Sequence, residues 1–95
     1  MKLTNKKTDK FEYVLQPTLD VLNILAAKGL VSHTDDNEQG YFYCTLADIA
    51  SKLNKSLTSI SKHVNKLKKL KIIDVRIIGG SKSVYKVNPF KVTEI

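Results

Sequence analysis

The side chains with the most chemistry to offer crowd into one stretch, Ser56, Thr58, Ser59, Lys62, Asn65, Lys66 and Lys69. Hydroxyl, amide and ammonium groups can hold phosphates and reach the edges of bases, and none of them is a strong nucleophile unaided. Arg76, Lys82 and Lys86 add cations further along. Conventional reactive groups are scarce. Cys44 is the only cysteine, which excludes an intramolecular disulfide and a thiolate-rich zinc site. It lies in the apolar run Tyr41-Phe42-Tyr43-Cys44, the usual setting of a buried small hydrophobe. His33 stands beside Asp35 and Asp36 in a polar stretch, short of the ligands a metal takes, so neither metal nor cofactor is expected. Asp48 is placed as a helix cap and His63 as the packed flank of a helix. No serine, histidine and carboxylate are set out for nucleophilic chemistry, and no enzymatic activity is expected.

Charge narrows the choice of partner. Residues 1–40 carry five lysines against six acids, a net −1; residues 41–95 carry ten lysines and Arg76 against three acids, a net +8. A one-sided basic field attracts polyanions, of which nucleic acid is the commonest in a cytosol. The 95 residues suit a single domain. The apolar residues recur periodically rather than in a run able to span a bilayer. Met1 to Lys7 is basic without an apolar stretch behind it, so no secretory signal is expected and a cytoplasmic location is the default.

The elements that must position these residues can be read from period and punctuation. Residues 1–10, polar and lysine-rich, read as a flexible arm, with the single domain over 11–95. Residues 11–15 read as an extended lead-in. After Pro17, Thr18 can cap a helix with Leu19, Val21, Leu22, Ile24, Leu25 and Ala26 on its apolar face, and Gly29 reads as its stop. Residues 32–40 read as an exposed loop, and residues 41–44 as a short strand. Thr45 caps a second helix with Leu46, Ile49, Ala50 and Leu53 facing inward; Asn54 permits a left-handed exit. Ser56 then caps a third helix, over 57–70, whose Leu57, Ile60, Val64 and Leu67 fall within about 80° on a helical wheel. Two β-type runs, 72–78 and 84–87, joined through Gly79 and Gly80, make a hairpin that Pro89 closes.

This order of elements resembles a winged helix-turn-helix. The likeness is specific over Leu46-Ala47-Asp48-Ile49-Ala50 and Lys55-Ser56-Leu57-Thr58-Ser59-Ile60-Ser61-Lys62-His63-Val64, continuing through Leu67 and Ile72-Ile73. It is similar to MarR-like and ArsR-like domains. The ending, Gly79-Gly80 and then Val84-Tyr85-Lys86-Val87-Asn88-Pro89, looks like firmicute plasmid replication proteins of the RepL type. Lys55 departs from the pattern, which usually has an aliphatic residue there. The resemblance implies an α+β fold of about three helices and a small antiparallel sheet, one short strand plus a β-hairpin wing. It also implies a regulator or replication protein from a plasmid, phage or other mobile element.

In that fold the third helix enters the major groove. Thr58, Ser59 and Lys62 are then the base-edge residues, Asn65, Lys66 and Lys69 meet the backbone, and Ser56 with the first helical amides holds a phosphate. Arg76, Lys82 and Lys86 bring the wing to the DNA. Arg76 is the only arginine, so helix 3 lacks the bidentate reader of guanine and sequence discrimination is modest. A second reading is open. Tyr41 and Tyr43 alternate with Phe42, so with Phe42 buried both rings face outward and can stack on the bases of single-stranded DNA. A third is a winged-helix protein-interaction module, possible partners being a replication protein or a second copy in a homodimer.

Overall fold

A computed structural model describes residues 1–31, 41–78 and 82–94, apart from the side chains of residues 30, 31, 78 and 82. Its described elements are three helices and six strands, arranged as two small antiparallel sheets. The strands are β1 (Lys2–Asn5), β2 (Phe11–Tyr13), β3 (Phe42–Tyr43), β4 (Ile73–Ile78), β5 (Lys82–Val87) and β6 (Phe90–Thr93); the helices are α1 (Gln16–Val31), α2 (Leu46–Leu53) and α3 (Leu57–Lys69). The strand orders are β2-β1-β6 and β3-β5-β4. The expected loop over 32–40, with His33, Asp35 and Asp36, lies outside the described residues, as does the hairpin tip at 79–81.

The β3-β5-β4 sheet follows from alternation. Ile73 and Tyr85 are buried and Val75 and Val87 pack on the core, while Arg76, on the alternate face, is exposed. Phe42 pairs with Tyr85 across the sheet, their rings 6.4 Å apart. Cys44 is buried beside them. Burial pushes its thiol above the ordinary value, which suits the structural place expected of it.

The sheet β2-β1-β6 corrects the expectation of a flexible arm over residues 1–10. Leu3 and Asn5 are buried, and β1 lies between β2 and β6. The turn closes with Asp9 in the left-handed region at φ 61 and its amide bonded to the Asn5 carbonyl at 2.8 Å. Asn5 also donates its side-chain amide to the carbonyls of Leu70 and Lys71, at 2.9 and 3.1 Å. Those are carbonyls left over at the end of α3, the groups a helix terminus must satisfy from outside. The antiparallel sheet expected of the chain is therefore accompanied by a second.

Helix α1 differs from expectation at both ends. It starts at Gln16, so Thr18 is no cap; it is buried, and its Oγ1 shares a 2.9 Å hydrogen bond with His63 Nδ1 on α3. Gly29 does not stop the helix, which continues to Val31. A Cβ at Gly29 would stand 3.2 Å from Phe42 Cε1, so the glycine allows close approach of the buried ring.

Candidate nucleic-acid interface

Caps fix where α2 and α3 begin and end. Thr45 Oγ1 accepts from the Asp48 amide at 3.1 Å, and Ser56 Oγ from the Ser59 amide at 3.2 Å. Hydrogen bonding of the Thr45 side chain to the carboxyl, followed by the charge of Lys28 at 3.6 Å, holds Asp48 below its usual range. Asn54 takes the left-handed conformation at φ 54, with Lys55 N–H on Ala50 O at 3.0 Å and Asn54 N–H on Ser51 O at 3.4 Å. These are the bonds of a Schellman exit. An aliphatic residue at 55 is thus unnecessary to the turn, whose geometry rests on backbone bonds. A second such exit follows α3, with Lys71 at φ 58, Ile72 N–H on Leu67 O and Lys71 N–H on Lys68 O.

The turn that leads into α3 and the first two residues of the helix are open to solvent. Residues 54–58 are all exposed, Leu57 among them at 55%. The expected inward place of Leu57 is therefore wrong, although Ile60, Val64 and Leu67 are buried as expected. Wheel position sets a residue's direction around the helix, but burial also requires another element above that turn, and the consecutive exposed residues show that none of the described elements covers it.

The sequence-derived site residues fall into three groups. Ser56, Thr58 and Ser59 lie at the N-terminal end of α3, with Ser59 half-buried and Ser56 serving as cap. Lys62, Asn65, Lys66 and Lys69 are exposed on α3 and together line a groove of about 290 Å³. Arg76 and Lys86 gather on the other sheet about the Tyr41 ring, with Arg76 Cζ 4.7 Å and Lys86 Nζ 5.8 Å from its centroid. The side chain of Lys82 lies outside the described residues.

Tyr41 and Tyr43 are not the equivalent pair that alternation suggests. Phe42 is buried and Tyr43 is 55% exposed, but Tyr41 is half-buried against Arg76. His63 is half-buried and bonded to Thr18, so it belongs to the packing of α3 on α1. Burial, then the charges of Lys55 and Lys66, push its pKa below the ordinary value.

Two contributors went unread in the sequence. Leu57 offers an apolar surface at the start of α3, and Glu12 of β2 completes the groove beside the three α3 lysines. Glu12 lies in the segment read as extended, but its place beside α3 depends on β1 pairing both with β2 and with the distant β6. Among the described residues no helix is long and apolar enough to cross a membrane, and no three His, Cys, Asp or Glu residues gather as metal ligands would. Neither a family model nor a curated protein matches the chain.

Proposed function

We propose that this chain is a non-enzymatic winged helix-turn-helix protein that binds double-stranded DNA, with α3 in the major groove and the β4–β5 hairpin as its wing. The observation that carries this reading is the form of α3. Its N-terminal residues Leu57 and Thr58 are open to solvent, and the same helix bears Lys62, Asn65, Lys66 and Lys69 on an exposed, basic side. A protein-binding surface usually has a charge-depleted centre, whereas phosphate neutralisation needs such lysines. In this reading Thr58 and Ser59 meet base edges, and Leu57 the methyl group of thymine. Arg76 and Lys86 supply the wing's charge. The resemblance noted above favours a regulatory or replicative role on a mobile element, in the cytoplasm.

Binding should fall by about three orders of magnitude between 50 and 200 mM salt if about six lysines meet phosphates. Replacing Lys62, Lys66 and Lys69 together by Gln should remove at least tenfold in duplex affinity and reduce the salt slope by about three, with the circular-dichroism melt unchanged because all three are exposed. Anisotropy titrations with a labelled duplex check both. Unchanged affinity in the triple variant would sink the assignment of α3, and absence of binding by the parent even at low salt would favour a protein-interaction module.

A further inference from the structure

The outward face of the β2-β1-β6 sheet has a composition that α3 does not explain. Register puts Lys2 opposite Tyr13 and Thr93, and Thr4 opposite Phe11 and Lys91. Leu3, Glu12 and Val92 form the intervening row, and Leu3 is fully buried, so that row faces the core. The outward row is therefore Lys2, Thr4, Phe11, Tyr13, Lys91 and Thr93, with two ammonium groups and no carboxylate. Phe11 is 47% and Tyr13 61% exposed. Their rings meet edge to face at 5.9 Å, and Lys2 Nζ stands 4.2 Å from the Phe11 centroid.

Two neighbouring rings left open to solvent, flanked by cations on a sheet face without carboxylates, complement an unpaired strand of nucleic acid. Bases have apolar faces that stack on aromatic rings whatever their sequence, and the phosphates between them pair with lysine. A self-associating apolar patch would gain nothing from Lys2 and Lys91, which would face each other's charge in a symmetric contact. We propose that this sheet face is a binding site for unpaired nucleic acid, with Tyr13 and Phe11 as stacking surfaces and Lys2 and Lys91 as phosphate contacts. The site is separate from the duplex-binding α3 and stands or falls independently of it. Strand β2 presents Phe11 and Tyr13 on this face and Glu12, which lines the α3 groove, on the opposite one, so the two sites lie on opposite faces of one sheet.

The test is an anisotropy titration of the full chain with a labelled single strand of about 12 nucleotides, long enough for one such surface, as DNA and as RNA in parallel arms that identify the preferred backbone. Phe11→Thr/Tyr13→Thr keeps β-forming residues at exposed positions and should weaken single-strand binding by about 25-fold or more, taking about fivefold per ring. Duplex affinity should not change. The chain has no tryptophan, so Tyr13→Trp installs a sole reporter whose emission should be quenched by the single strand and not by a blunt duplex. Three results would overturn the proposal: no single-strand binding by the parent at 50 mM salt, equal single-strand affinity in the double variant, or self-association of the parent that the double variant abolishes. Loss of duplex binding in the α3 lysine variant with single-strand binding retained would separate the two sites.

Discussion

The two sheets are alike in strand number and antiparallel pairing but differ in what holds them. In β3-β5-β4 the long strands are neighbours in sequence, and the inner face is a regular row of Ile73, Val75, Tyr85 and Val87. In β2-β1-β6 the central strand pairs Leu3 with Val92, partners from opposite ends of the described chain, and anchors itself through Leu3 and the two Asn5 hydrogen bonds to the end of α3. A locally closed sheet can be read from its own alternation. A sheet closed over long range depends on a few buried contacts, and those contacts also orient the α3 groove through Glu12.

The comparison breaks most sharply at Leu3. If the second sheet were an appendage, truncating Leu3 would cost little; because the side chain is fully buried in the common core, Leu3→Ala should destabilise the chain by about 2–5 kcal/mol. Asn5→Ala should cost about 1–3 kcal/mol, since it leaves the Leu70 carbonyl without its partner. Urea unfolding followed by circular dichroism measures both, and a loss below 1 kcal/mol for Leu3→Ala would make the sheet peripheral after all.

What was legible in the sequence follows the same division. The caps Thr45 and Ser56, the left-handed Asn54 and the core row Ile60, Val64 and Leu67 are local signals, and each is found where its residue type demands. Thr18 and Gly29 misled because a capping hydroxyl and a stop glycine have other uses. One bonds His63 across a helix pair, and the other admits the Phe42 ring. Residues 1–10 misled because a lysine-rich segment with only Leu3 to bury shows no period, yet Leu3 and Asn5 suffice once β6 and the end of α3 are in place. Of the site, the basic side of α3 was legible from spacing, whereas Glu12 depended on the sheet that sequence did not reveal.

Glu12 gives the next largest effect and bears on the function rather than the stability of the second sheet. It lines the same groove as Lys62, Lys66 and Lys69, so its negative charge opposes the approach of phosphate there. Glu12→Gln should raise duplex affinity about two- to fivefold at low salt, the range expected of one exposed charge pair, and the gain should fade as salt screens it. A decrease would instead show that Glu12 accepts a hydrogen bond from a base, as a carboxylate can from cytosine.

The smallest effect distinguishes a local from a global role for the N-terminal sheet, with His63 as its reporter. The ring lies on the α1 side of α3, bonded to Thr18, and its folded pKa is below the ordinary histidine value because of burial and the charges of Lys55 and Lys66. The unfolded chain therefore binds a proton there more readily than the folded chain. Stability is full above the ordinary value of about 6.5 and falls as pH drops through it toward the lower folded value. Lys66→Gln removes one of the opposing charges and should move the His63 resonance titration upward in a proton NMR series. Leu3→Ala, studied where it is still folded, should leave that titration in place if the N-terminal sheet loosens alone. A shift to the ordinary value in Leu3→Ala would mean that the contact of α1 with α3 opens together with the sheet, making the long-range strands part of the same cooperative unit as α3.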